Sequence, residues 1–270
     1  MTPTTPQIAE LVVPADWRVV DFISDLHLQA SEPATLQAWE HYMAHTQADA
    51  VFILGDLFEV WVGDDALTAH DAEAAFEKRC TAVLQRAAQR CAVFVLHGNR
   101  DFLLGPSFAQ ACGLTLLDDP TVLAWGPQRW LLSHGDALCL DDTDYLQFRA
   151  QVRSPAWQAS FLARPLTERR AIARGLRTES ENRKHSDASY ADVDRAAALA
   201  WLHAGRAQEL IHGHTHRPAD HALDAAHGRR VLSDWDAAAT PPRAEVLRLQ
   251  QTGTHVHVMR LASRQAAATA

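Results

Sequence analysis

Cysteine is scarce in this sequence, and the few that occur do not have the spacing of metal ligands. Cys80, Cys91, Cys112 and Cys139 are widely separated along the chain, whereas a structural zinc site uses pairs that lie only a few residues apart. Each of the four lies in an apolar context, so we expect buried free thiols. Free thiols are typical of a protein in a reducing compartment.

Long apolar runs and an excess of basic residues are also missing. No run approaches the roughly 20 apolar residues that a membrane-spanning helix requires. Residues 1–16 have neither the basic start nor the apolar centre of a signal peptide. The net charge is −8, so there is no overall positive field to attract nucleic acid. We therefore expect a soluble protein that does not bind nucleic acid, although such a chain can still lie on a membrane surface.

What the sequence contains instead is a series of short, strongly apolar runs. Its 270 residues, 47% of them hydrophobic, are enough for one large α/β domain or a core with an inserted subdomain. These runs are separated by helical segments, with predicted helices at 33–45 and 71–90 between the first three, and together they indicate βαβ units and one largely parallel sheet. The five runs are residues 18–24, 50–54, 91–96, 130–133 and 209–211.

After residue 230 the pattern changes. Residues 231–235, 245–250 and 255–261 alternate or run apolar, with turn residues between the last two. This pattern predicts antiparallel strands in a second sheet packed on the first. The alanine-rich tail from Ser263 is expected to fray.

A short polar motif follows each of the five runs. Open α/β sheets place their sites at the carboxyl ends of strands, where loops meet at one edge of a rigid scaffold. Each motif alone is a weak signal, but five at successive strand ends favour a common metal site over histidines that only satisfy the core. The motifs are Asp25-Leu26-His27, Gly55-Asp56, Gly98-Asn99-Arg100-Asp101, Ser133-His134-Gly135-Asp136 and Ile211-His212-Gly213-His214-Thr215-His216.

These motifs supply seven nitrogen or oxygen ligands, a number that suits two divalent cations sharing one carboxylate. Carboxylate, amide and imidazole ligands without thiolate favour Mn²⁺, with Zn²⁺, Fe²⁺ and Co²⁺ left open. The sequence has no serine or cysteine in a nucleophile-elbow pattern and no Walker-type loop, so hydrolysis by a metal-activated water is the simplest chemistry. The seven ligands are Asp25, His27, Asp56, Asn99, His134, His214 and His216.

Residues 141–205 interrupt the series of strands and have helical spacing instead. Between Asp144 and Lys184, nine Lys or Arg are opposed by four acidic residues. The plain interpretation is a solvated helical insertion. The functional interpretation is a basic, partly apolar cap over the metal edge, suited to an anionic amphiphile or an anionic membrane surface. We therefore divide the chain into a core, residues 1–140 and 206–270, and an inserted helical cap, residues 141–205.

As a set, the motifs closely resemble those of the calcineurin-like metallophosphoesterase superfamily. The resemblance implies an α/β fold, a two-sheet sandwich flanked by helices. It also implies that Asp56 bridges two metal ions, and that Asp56, Asn99, Arg100 and His134 take part in catalysis. One ion would be held by Asp25, His27, Asp56 and His216, and the other by Asp56, Asn99, His134 and His214.

Three features of the sequence narrow the resemblance to one family within the superfamily. Most members of the superfamily have His after the Asn of the Gly-Asn motif, whereas this chain has Arg100. Arginine cannot act as a general acid near neutral pH, but it can grip phosphate through two parallel hydrogen bonds. Together with the helical insertion and the Gly-His-Thr-His-Arg-Pro run at 213–218, this variant resembles the UDP-2,3-diacylglucosamine pyrophosphohydrolase family.

Membership of that family implies hydrolysis of the pyrophosphate bond of UDP-2,3-diacylglucosamine in lipid A biosynthesis. The products would be UMP and 2,3-diacylglucosamine 1-phosphate, called lipid X. It also implies a peripheral position on the cytoplasmic face of the inner membrane, and the sequence indicates no obligate protein partner. The substrate-binding residues, carried over from the family or chosen in the cap, are Asn99, Arg100, Asp142, Arg177, Ser180, Lys184 and His214.

Other interpretations stay open. Apolar residues of the insertion, Phe148, Trp157, Phe161 and Leu162, either line an acyl groove or pack the cap against the core. A phosphodiesterase acting on cyclic nucleotides, dinucleoside polyphosphates or other diesters would share all seven ligands, although a small soluble substrate requires neither the cap nor Arg100. A nuclease is disfavoured by the net charge of −8, and an inactive scaffold of this fold usually lacks some ligands.

Overall fold

Two six-stranded sheets form the centre of the molecule. The computed structural model describes residues 6–185 and 191–269, with the side chains of 178–185 not described. The strands are β1 (Ala9–Val12), β2 (Val19–Ile23), β3 (Ala50–Leu54), β4 (Ala92–Leu96), β5 (Thr115–Leu116), β6 (Thr121–Trp125), β7 (Gln128–Ser133), β8 (Glu209–His212), β9 (Ala219–Ala222), β10 (Gly228–Val231), β11 (Glu245–Thr252) and β12 (His255–Ala262). The α-helices are α1 (Pro33–His45), α2 (Ala72–Ala88), α3 (Pro106–Cys112), α4 (Thr143–Val152), α5 (Pro155–Leu162), α6 (Leu166–His185), α7 (Arg195–Gly205) and α8 (Ser263–Ala268).

The first sheet has the order β12-β11-β2-β3-β4-β5. Strands β2 to β5 run parallel, while β11 pairs antiparallel with both β2 and β12. The second sheet has the order β1-β6-β7-β8-β10-β9, in which β7, β8 and β10 are parallel neighbours. The carboxyl ends of β2, β3 and β4 therefore meet at one edge of the first sheet, and those of β7 and β8 meet at an edge of the second.

An aromatic and aliphatic core joins the two sheets. Phe22, Phe52 and Phe94, from three neighbouring strands, stack with ring centroids 5.2 and 4.6 Å apart. Trp130 and Leu132 of β7 belong to the same buried cluster, while α1, α2 and α3 cover the other face of the first sheet. Strands β2 to β4 are thus buried on both faces, which is why they read as continuous apolar runs. The expected two-sheet α/β sandwich is confirmed, and the four cysteines are buried and free as expected.

The sequence assigns several strands to the wrong sheet. It predicts β7 and β8 in one parallel sheet with β2 to β4, but they lie in the second sheet. It predicts β11 and β12 in a separate sheet, but they extend the first, where Arg248 of β11 forms a buried ion pair of 2.7 Å with Asp21 of β2. Of residues 231–235 only Val231 lies in a strand, at the end of β10. Partners distant in the chain decide these positions, and local apolar periodicity does not encode them.

The prediction of a frayed tail is also wrong. Residues Ser263–Ala268 form α8, in which Ala266 and Ala267 are buried, and this helix packs against α1. Alanine has the highest intrinsic helix propensity, and its short side chain lets the two helices approach closely. The alanine-rich composition therefore supports a docked helix.

The helices of the insertion divide into two groups. Three of them, α4, α5 and α6, are the cap helices; Trp157 of α5 stacks on the buried Phe161 at 4.7 Å, and both pack against the core of the first sheet. Helix α7 instead lies on β7 and β8 through buried residues such as Trp201 and Leu202. The division at residues 141 and 205 stays a prediction, with α7 covering the second sheet. Among the described helices, none is long and apolar enough to cross a membrane.

Candidate metal centre

The loops that carry the predicted ligands continue the pairing of their strands. Beyond the ends of β2 and β3, the amide of Asp25 donates to Gly55 O at 3.1 Å and that of His27 donates to Asp56 O at 3.0 Å. A further amide, that of Leu28, donates to Leu57 O at 2.9 Å. The parallel ladder thus fixes the first two motifs side by side, and their side chains face the same edge of the sheet.

The backbone at this edge is strained. Asp25, His27, Asp56, His214 and His216 have φ angles of +53°, +47°, +52°, +66° and +52°. Among the described residues other than glycine, only Arg206 shares a positive φ. Left-handed conformations cost L-residues roughly 1–2 kcal/mol each, and such strain persists where the surrounding structure imposes it, commonly at functional sites. The strain therefore falls on five of the seven predicted ligands.

Three predicted ligands of the first ion converge. Nε2 of His27 lies 3.3 Å from Nε2 of His216, which lies 3.3 Å from Oδ1 of Asp25. These three residues form a group whose potential donor atoms all lie within 4.8 Å of one another. Oδ2 of Asp56, the fourth predicted ligand, is 3.8 Å from Nε2 of His27.

The predicted ligands of the second ion converge as well. Oδ1 of Asn99 lies 3.0 Å from Nε2 of His134 and 3.0 Å from Nδ1 of His214. Oδ2 of Asp56 lies 3.8 Å from Nε2 of His134, the same separation as from His27 on the other side. Asp56 is thus placed between the two sets, as a shared carboxylate requires.

The orientation of the imidazoles fits cation binding. Nδ1 of His134 lies 2.9 Å from Leu54 O; since a carbonyl can only accept, Nδ1 donates, and Nε2, on the side of Asp56, is the nitrogen that a cation would engage in place of a proton. Fixing the tautomer in this way is the usual role of a second hydrogen bond to a metal-binding histidine. The donor set, without thiolate, suits two divalent cations, and the residues present therefore fit the pair of ions that the motifs predict.

Two glycines make room for the carboxylates. A Cβ at Gly98 would lie 2.0 Å from Oδ1 of Asp56, and a Cβ at Gly213 would lie 2.2 Å from Oδ2 of Asp25. Contacts this short do not occur in folded proteins, so a side chain at either position would displace a predicted ligand. The glycines of the Gly-Asn and Gly-His-Thr-His motifs are therefore required by close packing.

Buried charges at the edge shift each other's pKa. Burial lowers the pKa of His134, but the carboxylates of Asp56 and Asp25 outweigh it and raise that pKa to about 9. Burial, together with the positive charge of His134, lowers the pKa of His214 to about 4. Without cations, the proton on His134 balances part of the negative charge of the cluster. Cation binding is therefore expected to release protons.

Helix α4 closes over the second set of ligands. The buried carboxylate of Asp136 accepts from Tyr145 OH at 2.5 Å and from Nε of Arg149 at 2.7 Å. Nη2 of Arg153 donates to Gly98 O at 2.8 Å, and the ring of Tyr145 stacks over that of His214 with centroids 6.0 Å apart. The first cap helix is thus attached directly to the loops that carry Asn99, His134 and His214.

The predicted substrate-binding residues fall in three places. Asn99 and His214 lie in the centre, and the amide of Arg100 donates to Oδ1 of Asp56 at 2.8 Å. Nη1 of Arg177, in α6, donates to Oε1 of Gln29 at 3.0 Å, next to the loop that carries His27. Asp142 caps the N-terminus of α4, where its carboxylate accepts from the amide of Tyr145 at 3.1 Å. The side chains of Ser180 and Lys184 lie outside the described residues, and the roles of all these residues stay predictions.

Three acidic residues of the edge carry no signal of their own in the sequence that marks them as part of the site. Oε2 of Glu59 lies 2.8 Å from Nδ1 of His27, Asp136 anchors α4, and the carboxylate of Asp101 accepts from the amides of Gly98 and Leu57 at 2.8 and 2.7 Å. Asp101 and Asp136 belong to the motifs already singled out. Glu59 follows Asp56 by three residues, and only the pairing of the two loops shows that it reaches His27.

Comparison with known proteins places these features in a family. Residues 19–218 match the family profile described as "Calcineurin-like phosphoesterase". A protein from Chromobacterium violaceum named UDP-2,3-diacylglucosamine hydrolase is 47% identical over 225 residues, which cover 80% of this chain and 90% of that protein. Proteins of the same name from Aromatoleum aromaticum and Bordetella pertussis are 45% and 42% identical. The matches cover 79% and 85% of this chain, and 88% and 91% of those proteins.

Proposed function

This chain belongs to the calcineurin-like phosphoesterase family, and we propose that it hydrolyses the pyrophosphate bond of UDP-2,3-diacylglucosamine. The products are UMP and 2,3-diacylglucosamine 1-phosphate, the reaction belonging to lipid A biosynthesis. The observation that carries this proposal is the 42–47% identity to three proteins named for this substrate over about four fifths of the chain. All seven predicted ligands stand in the converging arrangement described above, which favours an active hydrolase over an inactive scaffold of the same fold.

Two divalent cations, for which we propose Mn²⁺, would be held by the seven ligands on either side of Asp56. When bound, they supply Lewis-acid activation of water and offset negative charge on the phosphoryl oxygens. The mixed set of carboxylate, amide and imidazole ligands, without thiolate, supports Mn²⁺. Leu54 O and Glu59 lie at the outer nitrogens of His134 and His27, so the Nε2 atoms of both rings face the positions where the cations would bind.

Arg100 is placed to bind the pyrophosphate. Its amide donates to the shared carboxylate of Asp56, so its side chain begins at the centre of the site. A guanidinium stays protonated at every working pH and offers two parallel donors to a phosphate. Its role in hydrolysis is therefore to hold and neutralise the pyrophosphate, while proton transfer is left to other groups.

For the cap helices we propose a role in holding the acylated sugar and in lying on the cytoplasmic face of the inner membrane. Supporting this, the segment from Asp144 to Lys184 carries nine Lys or Arg against four acidic residues. Phe148, Leu162 and Leu176 of these helices are 38, 41 and 42% exposed, whereas Trp157 and Phe161 are used in packing on the core. Basic residues beside exposed apolar side chains favour an anionic lipid surface.

The test is hydrolysis of UDP-2,3-diacylglucosamine with Mn²⁺ in ¹⁸O water, with products identified by mass. We expect UMP and the diacylglucosamine 1-phosphate, with ¹⁸O in one of them marking the phosphorus that water attacks. Cyclic nucleotides and dinucleoside polyphosphates serve as competing substrates in parallel reactions. Faster turnover of one of these, or no turnover of the acylated substrate by metal-loaded protein, would contradict the proposal.

A further inference from the structure

Glu59 lies where the first metal loop meets the cap helices. It follows Asp56 in the loop after β3, and this loop runs parallel to the one after β2, with a bridge between Leu28 and Phe58. The amide of Glu59 donates to Leu28 O at 3.2 Å. This pairing brings its side chain beside His27, while α6 passes over it from the other side.

Three side chains meet the Glu59 carboxylate. Oε2 lies 2.8 Å from Nδ1 of His27, and Oε1 lies 3.6 Å from Nη1 of Arg100 and 3.3 Å from Nε of Arg177. The carboxylate is only 12% exposed, so solvent screens these interactions weakly. One carboxylate thus contacts a predicted metal ligand, a predicted phosphate-binding residue and an arginine of α6.

Glu59 contacts the first set of predicted ligands through His27. Its contact is with Nδ1, whereas Nε2 of the same ring lies 3.3 Å from Nε2 of His216 within the first ligand set. Among the described residues, the groups of His, Cys, Asp and Glu that could hold a metal ion do not include Glu59. A carboxylate behind a metal-binding imidazole fixes its tautomer and raises its basicity.

The two arginine contacts differ in kind from the histidine contact. Oε2 lies 2.8 Å from Nδ1 of His27, the distance of a close ion pair, whereas the arginine contacts at 3.3 and 3.6 Å are looser. Both arginines are held beside Glu59, and Nε of Arg100 is buried without a hydrogen-bond partner among the described residues, so Arg100 keeps a donor for another anion. A pyrophosphate entering the site can engage the Arg100 guanidinium while Glu59 retains His27.

We propose that Glu59 is a positioning residue that couples the metal centre to substrate binding. It orients His27 towards the first cation, and it keeps Arg100 and Arg177 together at the place where the pyrophosphate binds. This second part rests on the proposed function, whereas the first part depends only on the metal centre.

The test compares Glu59→Ala and Glu59→Gln with Glu73→Ala and Glu73→Gln. Glu73 is a matched control, because its carboxylate also meets two arginines of α6, with Nε of Arg170 at 2.7 Å and Nη1 of Arg174 at 3.3 Å, but it contacts no predicted ligand. Folding of all four variants is checked by thermal melting. Glu59→Gln keeps the size and one acceptor of the parent residue, so it serves if Glu59→Ala does not fold.

The first readout is Mn²⁺ affinity by titration calorimetry without substrate. Loss of a carboxylate behind a metal-binding histidine typically weakens affinity about 10–100-fold, so we expect that loss in Glu59→Ala, a smaller one in Glu59→Gln, and none in the Glu73 variants. Parent-like Mn²⁺ affinity in both Glu59 variants, or an equal loss in the Glu73 variants, would overturn the positioning of His27.

The second readout is the KM for UDP-2,3-diacylglucosamine at saturating Mn²⁺. Glu59→Gln should raise this KM, since its neutral amide no longer holds the two guanidinium groups, whereas Glu73→Gln should leave it unchanged. Unchanged KM in Glu59→Gln would overturn the coupling to substrate. If the parent protein does not turn over this substrate while Glu59→Ala still loses Mn²⁺ affinity, the proposed function fails and the positioning of His27 stands.

Discussion

The metal edge of the core and the cap helices are built in opposite ways. At the edge, short side chains on strained loops converge from five strand ends, and Asp25 and His134 are fully buried. The cap helices reach the same region with long arginine side chains, such as Arg149, Arg153 and Arg177, which bridge from helices to the core. The loop backbone thus sets the positions of the predicted metal ligands, and the side chains of the cap helices are placed to influence which substrate binds.

The metal edge and the cap helices also differ in how much each contact contributes to stability and activity. At the edge, one residue serves several partners, so its loss disturbs the whole cluster. Several cap contacts pair an exposed arginine with an exposed carboxylate, as in Arg174 with Glu73, and such pairs contribute roughly 0–1 kcal/mol each. We therefore expect single substitutions at the edge to abolish activity and single substitutions in the cap to change substrate affinity or stability.

The largest effect is expected for Asp56→Ala. This change removes the one carboxylate that lies 3.8 Å from both His27 and His134, so neither predicted ion keeps its full ligand set. Activity should fall by more than the roughly 10²–10³-fold typical of losing a single transition-state donor, and bound metal measured by mass spectrometry should fall with it. Asp16→Ala, at an exposed carboxylate outside the site, is the control. Full activity of the parent after exhaustive chelation would contradict the metal mechanism.

A smaller effect is expected for Arg100→Ala, which marks the boundary between the two regions. Loss of one pre-placed charged donor typically costs a factor of about 10²–10³, so kcat/KM should fall by that amount while both metals stay bound. Arg100→Lys should recover only part, because an ammonium cannot form the two parallel contacts. Arg86→Ala, on the exposed side of α2, is the control for lost positive charge. Parent-like kcat/KM in Arg100→Ala would make Arg100 a structural residue.

The sequence predicts the metal edge of the core better than it predicts the contacts between distant parts of the chain. The strands β2, β3 and β4 end at Ile23, Leu54 and Leu96, within one residue of the ends of the predicted runs, because doubly buried strands give continuous apolar runs. Asp25, Asp56 and Asn99 follow these ends by two or three residues. Local patterns therefore predict the strand ends and the candidate ligands that follow them.

What the sequence could not predict depends on contacts between distant residues. The place of β11 beside β2 and the docking of α8 on α1 involve partners more than 200 residues apart. Glu59 has no motif of its own, and its contact with His27 arises only because two loops pair beyond their strands. Likewise, the helical spacing of α7 does not reveal that it packs on the second sheet.

The smallest effect on catalysis is expected for Arg169→Ala, which removes a contact between α6 and the core away from the predicted metal ligands. Arg169 of α6 is almost fully buried, donates to Val62 O and Arg164 O, and pairs with both carboxylate oxygens of Asp65. Hydrogen bonds to charged groups contribute about 1.5–3 kcal/mol, so Arg169→Ala should lower the free energy of unfolding by about that amount. Because the anchor positions α6, the KM for the acylated substrate should also rise.

Two comparisons sharpen this last prediction. Arg164→Ala removes only an exposed pair with Glu168 of the same segment, 2.6 Å apart, and should cost about 0.5 kcal/mol or less. Hydrolysis of a small chromogenic diester should be unchanged in both variants, since neither residue contacts the seven predicted ligands. Denaturant unfolding gives the stabilities, and steady-state kinetics on the two substrates separates the regions. If Arg169→Ala slows hydrolysis of the small diester as much as hydrolysis of the acylated substrate, the metal edge depends on the position of α6. The separation of the two regions would then be wrong, because a change that affects only the cap helices would leave hydrolysis of the small diester unchanged.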